Sequence, residues 1–197
     1  MRVAARIASY WLISVSDCQA MSDEIRLPVR PETFGLLLGV VVIDGMSMPL
    51  YSNGDTAYVG EHITRDGHGR YLAVAYHCVE FVRRFVYEKY DVNLAACWRE
   101  GDADDWYTHR ATMPLRSVGR TECRPGDLVT FTGEDTGHIA IIKEAGPEII
   151  VIASQNLTNT ATDLHTLLDA EILARKKPLS GQHGMRFFFE SVMRVTL

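Results

Sequence analysis

The chain contains no run of lysine and arginine interleaved with aromatics, and its formal net charge is −5 over 197 residues. Without a clustered cationic surface it has no general affinity for nucleic acid. A cationic substrate or partner is compatible with that charge. The apolar stretch from Ile7 to Val15 falls well short of the ~20 residues a bilayer-spanning helix needs. Cysteine is scarce: Cys18, Cys78, Cys97 and Cys123 form no CxxC pair and no disulfide-dense pattern. A reducing compartment, and with it a cytoplasmic location, is the simpler expectation. His62, Asp66 and His68 share one loop without regular metal-ligand spacing, so they read as solvated polarity rather than a metal site. No cofactor is implied. Internal repeats and low-complexity tracts are also absent. What remains, 47% hydrophobic and 23% charged, is the composition of one globular domain with a substantial core.

Residues 1–24 stand apart from that domain. Arg2 and Arg6 followed by Ile7 to Val15 have the shape of a short export signal, yet no small-x-small cleavage site follows. An upstream extension ending near Met21, an export signal and an ordered first helix all remain open. Residues 25–197 form the expected domain.

The chain is organised around Tyr76-His77-Cys78-Val79-Glu80-Phe81-Val82-Arg83-Arg84-Phe85-Val86-Tyr87. Cys78, Phe81, Val82, Phe85 and Val86 recur at the spacing of one buried helix face, with Glu80, Arg83, Arg84 and Glu88 mostly on the other. A cysteine in the first turn meets unpaired N–H groups and the positive end of the helix dipole, which favour a thiolate. The alternative is one more small core residue on an apolar stripe.

A second stretch bears on that choice. Pro125-Gly126-Asp127 is a turn, Leu128 to Phe131 a strand, Asp135-Thr136-Gly137 another turn, and His138 to Ile142 a second strand. A histidine at the mouth of a buried strand can face a helix N-terminus and take the proton of a cysteine there. Alone, His138 reads as a structural histidine; with Cys78 it reads as a catalytic partner.

Elsewhere, Val40 to Ile43 favours a strand turned by Asp44-Gly45 towards Pro49-Leu50-Tyr51. Ser52 to Arg70 reads as a long loop, Ala111 to Glu122 as an irregular connection and Glu148 to Ala153 as a strand. Leu164 to Lys177 reads as an amphipathic helix, Pro178 to Gly184 as a loop, and Met185 to Val195 as a final strand. Leu94 to His109 carries Trp98, Glu100, Asp102, Asp104, Asp105 and Trp106. Carboxylates among aromatic faces suit a polyamine, and a solvated helix face with its tryptophans turned inward is the competing reading.

Phe34-Gly35-Leu36-Leu37-Leu38-Gly39, Tyr51-Ser52-Asn53, His77-Cys78-Val79-Glu80-Phe81-Val82-Arg83-Arg84-Phe85, Thr136-Gly137-His138-Ile139-Ala140-Ile141-Ile142 and Gln155-Asn156 occur in the order of a known group. The chain resembles the CHAP-type cysteine amidases, and among them looks closest to the amidase domain of bifunctional glutathionylspermidine synthetase/amidase. The resemblance implies a papain-like (NlpC/P60-type) α+β fold, with the cysteine-bearing helix packed on an antiparallel sheet. It further implies hydrolysis of an amide through a thioester on Cys78, with His138 as acid and base. His77 stands where the family has an oxyanion-binding glutamine, and Ser154 where it has the glutamate that orients the histidine. Asn156 or Gln155 could take over the orienting role, and Asn156, which would share strand parity with Ser154, is the better substitute. Arg83 matches an arginine that would grip a substrate carboxylate, and Trp98 and Asp102 would bind a polyamine tail. The substrates these readings leave open are a glutathionylspermidine-like conjugate and a cell-wall peptide. Ser154 and His77 also leave open a degenerate amidase that only binds.

Overall fold

The computed structural model describes residues 34–54, 62–99, 101–134, 136–147, 149–157, 166–168, 177–181 and 185–196. The readings made for residues 1–24 lie outside them. β1 (Leu37–Ile43) and β2 (Met46–Tyr51) pair as an antiparallel hairpin ending at Ile43↔Met46. Asp44 and Gly45 turn it at φ 47° and 79°, the left-handed pair that two-residue hairpin turns require. Val41, Ile43, Met48 and Leu50 are buried, while Val40 and Val42 stay exposed.

β3 (Ile63–Arg65), inside the stretch that composition reads as a loop, pairs with β4 (Tyr71–Val74) just beyond it as a second hairpin. A polar residue, rather than an apolar pattern, holds its turn. The Asp66 carboxylate accepts from the N–H groups of His68 and Arg70, from Arg70 Nε at 2.7 Å and from Asn93 Nδ2 at 2.9 Å. Burial raises its pKa, but these donors outweigh burial and hold the carboxyl below its ordinary range. Asp66 is thereby committed to the fold.

α1 runs from Cys78 to Tyr90 and buries Phe81, Val82, Phe85 and Val86 completely, as the 3.6-residue spacing predicts. Asp91 ends it in the left-handed region at φ 56°, its N–H bonded to Tyr87 O at 2.8 Å. The short helices α2 (Leu94–Cys97) and α3 (Asp105–His109) follow, the former capped by Asn93. Trp106 of α3 is fully buried.

The remaining strands are β5 (Leu115–Val118), β6 (Leu128–Thr132), β7 (His138–Ala145), β8 (Ile150–Ala153), β9 (Thr166–Leu168), β10 (Leu179–Ser180) and β11 (Arg186–Val195). Among the described residues they form a sheet in the order β10-β11-β6-β7-β8-β9, with β5 alongside β11 and every pairing antiparallel. β6 and β7 lie at its centre and read as continuous apolar runs because both faces are covered. One face packs against α1 and the first hairpin through Leu128, Ile139, Ile141 and Ala153. The other carries a second core of Val129, Phe131, Ala140, Ile142, Ile150, Ile152, Phe187 and Val192. The arrangement is α+β.

Three expectations change here. The helix read from Leu164 to Lys177 is instead a strand at Thr166–Leu168, because the outer edge of β8 is open for pairing and takes it, from Ile150↔Leu168 to Ile152↔Thr166. Residues 164–165 and 169–176 of that reading lie outside the described ones. The connection from Ala111 to Glu122 contains β5, captured by the end of β11. The loop from Pro178 contributes β10 to the other end of β11. Each is a short segment whose strand state comes from its partner, not its own sequence.

Candidate active site

Cys78 is the first residue of α1, and the chain reaches it through strained backbone. Tyr76 sits at φ 62°, a conformation that costs a bulky residue on the order of 1–3 kcal/mol. Its ring is held at 5.0 Å from both Phe34 and Tyr51. His77 then takes the N-cap position with extended backbone and no side-chain capping bond. The N–H groups at the start of α1 are left for whatever lies in front of them.

What lies in front of them is a pocket of about 210 Å³ whose lining includes His77, Cys78, Val79, Arg83, Arg99 and Asp102, with Thr136 and Gly137 also in its wall. Gly137 is required there: a side chain at that position would collide with the backbone of Asp104. This close approach brings the Thr136-Gly137 turn against the segment that carries Asp102.

The sulfur is not a thiolate in this arrangement. Burial pushes the Cys78 thiol up to about 11, and the nearby Asp102 carboxylate adds to that push. The N–H groups of Ile139, Val79 and Cys78 itself face the sulfur and act in the opposite direction, without winning. The helix terminus thus contributes as the sequence predicts, but desolvation is larger.

The position of His138 differs more. Its cross-strand partner is Phe131. Ile139 and Ile141 face α1, whereas Ala140 and Ile142 belong to the second core, and His138 shares the parity of the latter pair. Its ring lies 6.2 Å from that of Phe131 and 5.4 Å from that of Phe187. Nε2 is buried without a hydrogen-bond partner, and burial holds the imidazole neutral down to about 3. A neutral thiol and a neutral imidazole on opposite faces of one sheet stand where the sequence predicts an ion pair. The physical reason is alternation: Cys78 meets the backbone of Ile139, one residue beyond a histidine whose side chain turns the other way.

Ser154 follows β8 in the alternation of Ile150 and Ile152, fully buried, its Oγ without a hydrogen-bond partner. The parity expected between Ser154 and Asn156 does not hold. β8 ends at Ala153, and Asn156 is left-handed at φ 66°, which breaks the alternation.

Arg83, predicted on the solvated face of α1, is 1% exposed. Its guanidinium donates to Leu72 O at 3.1 Å, Trp98 O at 2.8 Å and Arg99 O at 3.4 Å, joining α1 to the segment before α3. Nε, with no hydrogen-bond partner, completes the group at the pocket wall. Asp102 lies in the wall as the sequence suggests; Trp98 does not, since its ring stacks on His109 at 4.8 Å and packs edge-on to Trp106. In its place stands Arg99, over the Tyr71 ring at 4.2 Å, which the sequence reading passed over.

Also missed was a buried polar network behind the cysteine. Glu80, 1% exposed, accepts from Arg84 Nε at 2.7 Å and from Gln155 Nε2 at 2.9 Å. Arg84 reaches Pro49 O at 2.9 Å. The i,i+4 spacing of Glu80 and Arg84 was visible in the sequence; their burial was not.

Residues 67–156 match the family model described as the CHAP domain, a little under half of the chain. The matched segment contains Cys78, His138 and Gln155-Asn156, and CHAP domains are generally hydrolytic, as amidases or peptidases. The match supports a CHAP-type amidase or peptidoglycan hydrolase. No curated protein matches the chain. Among the described residues no helix is long and apolar enough to cross a membrane, and no group of three or more His, Cys, Asp or Glu side chains could hold a metal ion.

Proposed function

We propose that the chain is a papain-like cysteine amidase that cleaves a peptide amide of the cell-wall kind through a thioester on Cys78. One observation carries this: a cysteine at the first position of α1 opens into the pocket, with main-chain N–H groups of Cys78 and Val79 directed at its sulfur. In that reading the sulfur attacks the substrate carbonyl, and the Cys78 N–H with the His77 side chain binds the oxyanion. His138 takes the thiol proton after its imidazole turns towards the cysteine face, donates it to the leaving amine, and then activates the water that hydrolyses the thioester.

The wall favours a substrate with charges of both signs near its amide. Arg99 suits a carboxylate and Asp102 an ammonium group, the combination a cell-wall peptide presents, while the Arg83 guanidinium is held by main-chain carbonyls. A glutathione–polyamine conjugate is the second reading, supported by Asp102 but not by Trp98, whose ring is occupied by His109 and Trp106. The protonated thiol supports a third, binding without turnover.

Purified chain incubated with isolated cell wall, and separately with glutathionylspermidine, distinguishes them by mass spectrometry of the released amines. Stem-peptide fragments that vanish with Cys78→Ala are the expected result. Release of spermidine alone selects the conjugate. Saturable binding of either substrate without any product overturns the amidase reading.

A further inference from the structure

The side-chain amide of Gln155 is 1% exposed and joins three parts of the fold. Its Oε1 accepts the N–H of Tyr51 at 2.9 Å, which fixes which end of the amide is which. Both N–H groups of Nε2 are then committed: one to His77 O at 3.3 Å, the other to Glu80 Oε2 at 2.9 Å. Glu80 is held in turn by Arg84, and Arg84 by Pro49 O.

His77 O belongs to the same planar peptide as the Cys78 N–H. In a trans peptide the two point in opposite directions, so a donor that anchors His77 O from behind aims the Cys78 N–H forward. His77 O also accepts from Phe81 N at 3.1 Å within the helix. That bond fixes the carbonyl along the helix axis, and Gln155 fixes it from the side. The peptide would otherwise be free to tilt, because left-handed Tyr76 precedes it and no side-chain cap closes the helix.

We infer that Gln155, braced by Glu80, is a positioning residue that sets the tilt of the His77–Cys78 peptide and thereby aims the Cys78 N–H at the oxygen of an attacked carbonyl. This deepens the amidase reading and rests on Cys78 as the reacting group. It assigns Gln155 to the oxyanion side of the site rather than to the histidine.

The test compares two reactions of Cys78, of which only one passes through an oxyanion. With p-nitrophenyl acetate the sulfur bonds to the acetyl carbon through a tetrahedral oxyanion, p-nitrophenolate leaves and the thiol proton passes to buffer. With iodoacetamide the sulfur displaces iodide at a saturated carbon, and no oxyanion arises. Both are read on the Cys78 peptide by mass spectrometry, so Cys18, Cys97 and Cys123 do not interfere. Gln155→Met should lower acetylation about tenfold while alkylation stays within about twofold, since a misaimed oxyanion donor affects only the first. Glu80→Gln leaves one acceptor oxygen for two donors and should lower the ratio about threefold. If Gln155→Met does not melt cooperatively, Glu80→Gln carries the test. Equal changes in the two reactions, or no change in either, overturn the inference. Neither reaction requires amide turnover, so the ratio can shift in a protein that hydrolyses no amide. In that outcome the amidase reading fails and the positioning role stands.

Discussion

The two faces of the central sheet hold polar residues on opposite terms. On the face towards α1, Glu80 and Gln155 are buried and, with the half-buried Arg84, hydrogen-bonded to one another and to main chain, only Nη1 of Arg84 being left without a partner in that group. On the far face, His138 Nε2 and Ser154 Oγ are buried with no hydrogen-bond partner. A buried polar group left unpaired costs about 1–3 kcal/mol. The first face is therefore built to hold the cysteine still, whereas the second stores an imidazole in apolar surroundings at a cost that its departure would relieve.

The comparison breaks most sharply at Cys78, the proposed nucleophile. Cys78→Ala should remove hydrolysis by about a thousandfold or more, measured as amine release from cell wall, with no loss of thermal stability beyond that of a small core change. Next is Arg83→Met, which leaves three carbonyls without their donor. It should destabilise the fold by about 2–3 kcal/mol in urea titration, and Arg83→Lys should recover only part of this because an ammonium group lacks the planar fork.

The far face is tested by acid. The folded-state pKa of His138 is depressed to about 3 from the ordinary 6.5. Its neutral form is thus matched to the fold above pH 6.5, and stability is lost as pH falls from there towards 3, because the unfolded chain binds a proton that the native one refuses. The slope is about 1.4 kcal/mol per pH unit. Denaturant titrations at pH 6.5 and 4.5 should show wild type losing about 2 kcal/mol more than His138→Gln; an equal loss in both would place His138 in a hydrated, titrating position. The smallest effect sharpens the near face. Asp102→Asn removes a charge that raises the thiol pKa, so iodoacetamide should label Cys78 about two- to threefold faster at pH 8.5.

Much of the near face was legible in the sequence. The spacing from Cys78 to Val86 located α1 and its apolar stripe, Asp44-Gly45 located the first hairpin, and the run from His138 located a buried strand. Glu80 and Arg83 were misplaced because charge on a helix ordinarily marks its wet side, and here β4, the segment after α2 and Gln155 close over that side. The strand at Thr166–Leu168 was hidden for a related reason, since its state was settled by the open edge of β8.

By itself the sequence determined that a cysteine begins an amphipathic helix and that a histidine begins a buried strand. Those are local facts, set by periodicity and turn chemistry. Whether the two side chains face each other was decided only in three dimensions. A strand alternates with period two, and the registers of β7 with β6 and β8 chose the parity that turns Ile139 towards Cys78 and His138 towards Phe131 and Phe187. The partners of Glu80 and Gln155, 75 residues apart in the chain, were likewise beyond any local pattern, because only the packed fold brings them together.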